Sequence, residues 1–130
     1  MVIDSSALIA ILLREQEADD LIASLTQDPK RLISSFTYLE CAVVIEARKG
    51  PAGVREFDLL VHEANIEQVA LDAEQVAVAV KAYRRYGKGR HPAGLNIGDC
   101  CSYALASISE EPLLFKGDDF SKTDLPLVDW

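Results

Sequence analysis

The chain has 130 residues, of which 49% are hydrophobic and 26% charged, and its formal net charge is −8 at pH 7. This length and apolar content predict a single domain over residues 1–130. The net negative charge argues against a protein that coats nucleic acid through bulk electrostatics. Because the longest apolar run, 7–13, is too short to span a membrane and no signal peptide fits before Asp4, we expect a cytoplasmic protein.

The first half of the chain alternates short apolar strands with helices. Residues 1–3 are predicted to form a buried strand, followed by a helix over 7–13 that Ser5 or Ser6 can cap. A helix over 15–25 and a strand over 31–35 come next. Thr37 to Glu40 matches a capping box at the start of a third helix, which Gly50 ends before a further helix over 53–64.

The second half continues the alternation. It predicts a strand over 66–71, a periodic helix over 73–86 with Val76, Val80 and Tyr83 on one face, and a loop rich in Gly, Pro and basic residues. Asn96 can cap a helix that runs to about Ser109, before strands over 112–115 and 127–128. Alternating strands and helices predict an α/β fold with a central, mostly parallel sheet of four to five strands covered on both faces.

Acidic residues occur where strands end or helices begin. Asp4 ends the first strand, Asp118 follows the fourth, and Glu40 and Asp99 fall in the first turns of helices that leave the same edge of the sheet. Clustered carboxylates repel one another, and bound Mg²⁺ or Mn²⁺ removes that conflict. Since no His or Cys is placed as a nucleophile, the residues present match metal-assisted phosphodiester hydrolysis.

Each acid also has a purely structural interpretation. Glu40 and Asp99 both follow a capping residue by three positions, where an acid complements the start of a helix. The adjacent Asp118 and Asp119 suit a tight turn. Asp4 is the hardest to explain in this way, because a buried acid is costly unless something satisfies it. The case for a metal site therefore depends on the convergence of the acids.

The cysteines and the basic residues allow simpler interpretations. Cys41, Cys100 and Cys101 lack zinc-type spacing and are predicted to be buried, reduced thiols. Five basic residues fall within ten positions, and a solvated helix face is the simple explanation for them. Beside a metal site, the same residues would form a phosphate-binding rim. They are Lys81, Arg84, Arg85, Lys88 and Arg90.

Four segments occur in order along nearly the whole chain: MVIDSSAL at 1–8, Glu40, LNIGDC at 95–100 and LFKGDDF at 114–120. Together they resemble the PIN-domain ribonuclease toxins of the VapC family, from bacterial VapBC toxin–antitoxin systems. The resemblance implies a three-layer α/β/α fold and Mg²⁺- or Mn²⁺-dependent endonuclease cleavage of RNA. It also implies a homodimer, for which the apolar helices near the N-terminus could supply the surface, and inhibition by a cognate VapB antitoxin.

The resemblance assigns a role to each acid by position. Asp4 and Asp99 correspond to the principal metal ligands, Glu40 to the third acid and Asp118 to the fourth, with Asp119 as its supporting neighbour. The hypothesis for mechanism is that a metal-activated water attacks the scissile phosphate in line.

Residues outside the acids complete this hypothesis. Ser6 corresponds to the hydroxyl that supports the first acid, and it would orient Asp4. The cluster of Arg84, Arg85, Lys88 and Arg90 would position the RNA backbone. Lys116 stands where many relatives have Ser or Thr, so no hydroxyl role can be assigned there. We expect its side chain either to contact phosphate or to be a solvated lysine in a turn.

Two other functions remain open at this point. A receiver-like or other phosphotransfer module also uses an acidic pocket, but it needs an acceptor Asp at the end of a central third strand, where Asp72 resembles a helix cap. A phosphatase of the haloacid dehalogenase type needs a second acid where this chain has Ser6. A catalytically silent PIN-type binding protein would keep the fold and the partner surface without responding to metal.

Overall fold

A parallel β-sheet lies between two layers of helices in the computed structural model, which describes residues 1–130. The strands are β1 (Val2–Ile3), β2 (Arg31–Ser34), β3 (Ile66–Val69) and β4 (Leu113–Leu114). Their order is β3-β2-β1-β4, and every neighbouring pair is parallel. A parallel bridge between Leu113 and Leu127 occupies the position of the predicted fifth strand. The predicted α/β class and the parallel sheet are confirmed.

The helices match the predicted elements, with shifts at their ends. They are α1 (Ser5–Leu12), α2 (Ala18–Gln27), α3 (Ser35–Glu63), α4 (Ala73–Tyr86) and α5 (Ile97–Ser109), followed by a short 3₁₀ helix (Asp119–Lys122). The start of α2 is later than predicted because the chain turns at Arg14, which has a φ of 54°. None of these helices has the length and apolar character needed to cross a lipid bilayer.

The caps of α1 and α3 differ from the prediction. Asp4 caps α1 by accepting the Ser6 N–H, whereas Ser5 or Ser6 was expected to do so. Ser34 caps α3 by accepting the Phe36 N–H at 3.2 Å, because β2 ends at Ser34 and the chain turns there. Glu40 therefore lies in the second turn of α3, and the capping box predicted for it does not form.

A kink divides α3 where the sequence predicts two separate helices. Gly50 has φ 66° and ψ −165°, and Pro51 opens the second half of the helix. Proline suits the first position of a helix because its missing N–H needs no partner there. The second half thus begins at 51, two residues before the predicted start.

The core is divided by the sheet into two clusters, because alternate residues of a strand point to opposite faces. Ile3, Ile33 and Leu114 pack against α1, α2 and α3. Val2, Leu32 and Leu113 pack against α4 and α5. Two helical layers therefore cover the sheet, as predicted. All three cysteines are buried and free of disulfides, which confirms the predicted buried thiols.

Several periodic apolar positions are exposed. Val76, Val80 and Tyr83 on α4 are 42% to 46% exposed, and Leu39 and Val43 on α3 are more exposed still. The apolar residues of α1, by contrast, are largely buried in the core. The apolar residues of α1 therefore belong mainly to the core, and the exposed apolar faces belong mainly to α3 and α4. The dimer surface near the N-terminus stays a prediction.

Candidate active site

Asp4 is buried at the carboxyl end of β1, with 2% of its surface exposed. Its Oδ2 accepts hydrogen bonds from the Ser6 N–H at 3.0 Å and from the Ser6 hydroxyl at 2.7 Å. Its Oδ1 accepts a hydrogen bond from the Ser102 hydroxyl at 2.6 Å. Three donated hydrogen bonds compensate for much of the hydration that a carboxylate loses on burial. The predicted contact between Ser6 and Asp4 is present.

Asp99 lies in the first turn of α5 and forms a reciprocal capping box with Asn96. Its Oδ2 accepts the Asn96 N–H at 3.0 Å, and its own N–H donates to the Asn96 side chain at 2.9 Å. Burial raises the pKa of Asp99 to about 7, although the Asn96 hydrogen bond lowers it; the charges of Asp4, Asp119 and Glu40 raise it further. Asp99 is therefore both a cap and a member of a carboxylate cluster.

Glu40 extends from the second turn of α3 to the start of α5. Its carboxylate lies against Gly98, where an added Cβ would be 2.8 Å and 2.9 Å from its two oxygens. Burial raises the pKa of Glu40, the nearby Ser5 hydroxyl lowers it, and the charge of Asp4 raises it. A role in capping no longer explains Glu40, because another residue caps α3.

The two consecutive aspartates after β4 differ in their relation to the cluster. Both are exposed, and Asp118 precedes the 3₁₀ helix without capping it through its side chain. Asp119 is the member of the pair whose charge raises the pKa of Asp99. The tight turn predicted here is present, since Gly117 has a φ of 115°.

The acids whose charges act on the pKa values of this region are Asp4, Glu40, Asp99 and Asp119. They offer only carboxylate oxygens as ligands, which is the donor type that Mg²⁺ and Mn²⁺ prefer. No three His, Cys, Asp or Glu side chains are arranged so that they could hold a metal ion as they stand. Mg²⁺ keeps several waters and is usually bound by one or two carboxylates together with substrate phosphates. The donor chemistry of Asp4 and Asp99 therefore suits such an ion, whose coordination water and phosphate would complete.

Two of the predicted RNA-binding residues have partners within the protein. Arg85 forms an ion pair with Asp124 at 3.3 Å. The guanidinium of Arg90 lies 5.5 Å from the centre of the Tyr83 ring, within the range of a cation–π contact. These contacts orient both arginines without burying them, since both are exposed.

The loop that contains Lys88 leads directly into α5. The Lys88 N–H donates to the Leu95 carbonyl at 2.9 Å, one residue before the Asn96 cap. Arg84 and Lys88 are exposed and form no ion pair. The basic cluster therefore adjoins the start of the helix that contains Asp99.

Lys116 forms ion pairs within the protein that the sequence did not predict. Its ammonium group pairs with Glu15 and, at 3.1 Å, with Glu17, both in the connection between α1 and α2. Its backbone N–H donates to the Ser6 hydroxyl at 3.0 Å. Lys116 therefore connects the end of β4 to α1 through its main chain and to the α1–α2 connection through its side chain.

Sequence reasoning did not identify Gly98, Ser102 or Thr37 as part of the site. Ser102 bonds to Asp4 across 98 positions of sequence, and Thr37 lies 3.3 Å from Ser102 across 65 positions. One signal in the sequence could have identified Ser102, since its hydroxyl lies in the middle of the otherwise apolar 100–106 segment of α5. A buried hydroxyl needs a hydrogen-bond partner.

Comparison with known proteins gives three kinds of similarity. Residues 1–125 match the PIN domain family. The chain is 56% identical over 128 residues to a Mycolicibacterium smegmatis protein named Ribonuclease VapC, covering 98% of this chain and 99% of that protein. VapC20 of Mycobacterium tuberculosis, a Sarcin-Ricin loop cleaving toxin, has a similar structure with a TM-score of 0.80 at 15% identity, covering 98% and 97% of the two chains. VapBC2 of Rickettsia felis, bound to a DNA fragment from its promoter, matches with a TM-score of 0.76 at 14% identity, covering 99% and 97%.

Proposed function

This chain belongs to the VapC ribonucleases of the PIN-domain family, and from that premise we propose that it is an Mg²⁺- or Mn²⁺-dependent endoribonuclease toxin that acts in the cytoplasm. The main support is the burial of the Asp4 carboxylate at the end of β1. Burial raises the pKa values of Glu40 and Asp99, and the charge of Asp4 raises both further. Three elements of the fold thus bring negative charge to one region. A divalent cation there offsets their repulsion.

In this proposal, Asp4 and Asp99 hold the ion, and Ser6 orients Asp4. Glu40 and one acid of the Asp118–Asp119 pair complete the site directly or through water. A divalent ion, when bound, stabilises charge on the phosphate and lowers the pKa of a water nucleophile for in-line attack. The protein's own part is to keep these carboxylates ionised and correctly spaced.

The decisive experiment replaces each principal ligand by its uncharged isostere. Asp4→Asn and Asp99→Asn should each reduce Mg²⁺-dependent RNA cleavage by at least about a hundredfold, because a metal ligand is lost. Asp20→Asn, at an exposed position on α2, is the matched control and should cleave like the wild type. Circular dichroism checks folding. Undiminished cleavage in both folded ligand variants would defeat the assignment.

The basic cluster is proposed to hold the RNA backbone beside the acids. Replacing Arg84 and Lys88 by Ala should weaken RNA binding and make it less dependent on salt, because fewer counterions are released on binding. The pair Arg48→Ala and Arg55→Ala, exposed cations on α3, is the control. An unchanged salt dependence would remove the cluster from the RNA interface.

The cognate partner proposed for this toxin is a VapB-type antitoxin that covers the active-site groove. The exposed Leu39 and Val43 extend from the same helix as Glu40 and offer an apolar contact surface for it. Leu39→Glu with Val43→Glu should weaken inhibition by the purified antitoxin and leave cleavage intact. Equal inhibition of this variant and the wild type would place the contact elsewhere.

A homodimer is proposed through the apolar groove between α3, α4 and α5. Phe36, Val76, Val80, Tyr83 and Ile97 line this groove of about 480 Å³. Its α4 wall is acidic in the first turn and basic in the last, so two antiparallel copies of α4 would place opposite charges together. Sedimentation should show a wild-type dimer and a Val80→Glu monomer, with Leu59→Glu on α3 as an exposed apolar control. A dimer that persists in Val80→Glu excludes the groove.

The topology weakens the receiver-like alternative. A receiver needs its acceptor Asp at the end of a central third strand, whereas β3 is an edge strand here, and Asp72 caps α4 through its side chain. A silent PIN-type binding protein is separated from the nuclease by titration with Mn²⁺: no change in thermal stability and no RNA cleavage would favour it.

A further inference from the structure

The Asp4 carboxylate stands at the end of a chain of buried hydroxyl groups. The Ser102 hydroxyl lies 2.6 Å from Asp4 Oδ1, and the Thr37 hydroxyl lies 3.3 Å from that of Ser102. Ser102 is 1% exposed and Thr37 is fully buried. The chain joins three parts of the fold, since Thr37 belongs to α3, Ser102 to α5 and Asp4 to the end of β1.

The direction of these hydrogen bonds follows from their chemistry. A serine hydroxyl has one hydrogen, and the carboxylate can only accept, so Ser102 donates to Asp4. Ser102 then has no hydrogen left for Thr37, and Thr37 must donate to Ser102. Each bond polarises the next, so the donor facing Asp4 is stronger than an isolated hydroxyl.

The two oxygens of Asp4 are not equally occupied. Oδ2 accepts two hydrogen bonds, both from Ser6, which use both of its lone pairs. Oδ1 accepts one, from Ser102, and keeps one lone pair. The oxygen that has a free lone pair is therefore the one that Ser102 holds.

We propose that Ser102, supported by Thr37, is a positioning residue that presents Asp4 Oδ1 to a divalent cation as a single-oxygen ligand. Ser102 lies three residues after Asp99 on the same helix, so its bond to Asp4 also sets the separation of the two principal ligands. This inference rests on the proposed function and deepens it, because it assigns to two residues outside the acidic set an influence on ion affinity that acts through Asp4.

A merely structural role makes a different prediction. If Ser102 only satisfied a buried carboxylate, its loss would lower stability and leave the affinity for the ion unchanged. If it positions Asp4, Ser102→Ala should weaken Mn²⁺ binding by about ten- to a hundredfold, the usual effect of losing a partner that orients a metal ligand. The measurement is isothermal titration with Mn²⁺ alone, without RNA, alongside thermal unfolding.

Conservative variants make the test specific. Thr37→Val removes the supporting hydroxyl at constant shape and should weaken Mn²⁺ binding less than Ser102→Ala, whereas Thr37→Ser keeps the hydroxyl and should bind like the wild type. Ser24 is a buried serine on α2, outside the site. Ser24→Ala is therefore the control for the loss of stability that follows when any buried serine hydroxyl is removed. Ser102→Cys replaces Ser102→Ala if the alanine variant does not fold, since it keeps the volume and weakens the donor.

The outcomes separate this inference from the proposed function. A wild-type affinity for Mn²⁺ in the Ser102 and Thr37→Val variants, with binding by the wild type itself, would overturn the positioning role alone. A wild-type protein that binds neither Mn²⁺ nor Mg²⁺ would overturn both. Weaker binding in the Ser102 variant, with Thr37→Ser and Ser24→Ala unchanged, supports the inference.

Discussion

At the scale of single residues, Glu40 faces a position on α5 that has no side chain. The Gly98 backbone allows the two carboxylate oxygens of Glu40 to approach closely, at 2.8 Å and 2.9 Å from where a Cβ would be. Nothing about the φ of Gly98 requires glycine. Glycine at position 98 therefore allows the Glu40 side chain of α3 to pack against the start of α5.

Gly98→Ala should reduce metal-dependent RNA cleavage by about ten- to a hundredfold, because the new methyl group displaces the Glu40 carboxylate. Thermal stability should change by only a few degrees, since Glu40 is flexible at its end. The control is the same change in a Glu40→Ala background, where no further loss is expected. An equal additional loss in that background would show that Gly98 acts independently of Glu40.

The identity of the fourth acid is a second question at this scale. Asp119→Asn should reduce cleavage by at least about tenfold and Asp118→Asn by less. The reason is that Asp119 is the member of the pair whose charge adds to burial in raising the pKa of Asp99. Cleavage rates of both variants at saturating Mg²⁺ decide between them. A larger loss in Asp118→Asn would support the assignment that the family resemblance implies.

At the scale of elements, α3 contributes to the site at one end and to the core along its length. Its first turns contain Thr37 and Glu40, and Phe57 in its second half is fully buried. The kink at Gly50 turns the second half so that it continues to cover the sheet. The backbone angles there, φ 66° and ψ −165°, belong to a region essentially limited to glycine.

Gly50→Ala should therefore lower the free energy of unfolding by about 1–3 kcal/mol without changing RNA cleavage below the unfolding temperature. Urea denaturation measures the difference. Arg48→Ala, at an exposed position two residues earlier, should remain near wild-type stability. Unchanged stability in Gly50→Ala would mean that the kink is not a backbone requirement.

At the scale of the whole molecule, opposite charges join distant parts of the chain despite its net charge of −8. The amino group of Met1 contacts Asp28 at 2.6 Å and Glu111 at 2.9 Å, and Glu111 also pairs with Lys30 at 3.0 Å. Hydrogen bonds from the Met1 amino group and from Lys30 hold the pKa of Glu111 below its usual value, with burial acting in the opposite direction. These contacts connect β1 with the segments that lead into β2 and β4.

Stability should depend on pH through Glu111. Because its folded pKa is lowered, its contribution is complete above the unfolded pKa and is lost as the pH falls through the folded value. Glu111→Gln should cost about 1 kcal/mol at neutral pH, and the difference should vanish once the pH has fallen below the lowered folded pKa of Glu111. Glu110→Gln, an exposed neighbour without an ion pair, is the control. A difference that persists in acid would exclude the charge as its cause.

The parts of the fold predicted correctly depend on near neighbours in sequence. The bounds of α4 and the capping box of Asn96 and Asp99 depend on interactions between residues within four positions of each other. Sequence patterns indicate such interactions directly. The start of α3 was missed because several hydroxyl residues compete for the cap, and the end of β2 in the sheet selects Ser34.

The α/β class, the parallel sheet and the family could be predicted from the amino-acid sequence, because hydrophobic periodicity, caps and motif spacing are properties of the local chain. The candidate acids of the site could also be chosen from the sequence, since strand ends and helix starts are local features. The folded structure was needed to show that Ser102 bonds to Asp4, that Glu40 packs against Gly98 and that the charge of Asp119 adds to burial in raising the pKa of Asp99. Those relations join residues of different elements, and their distances exist only once the sheet and helices have packed.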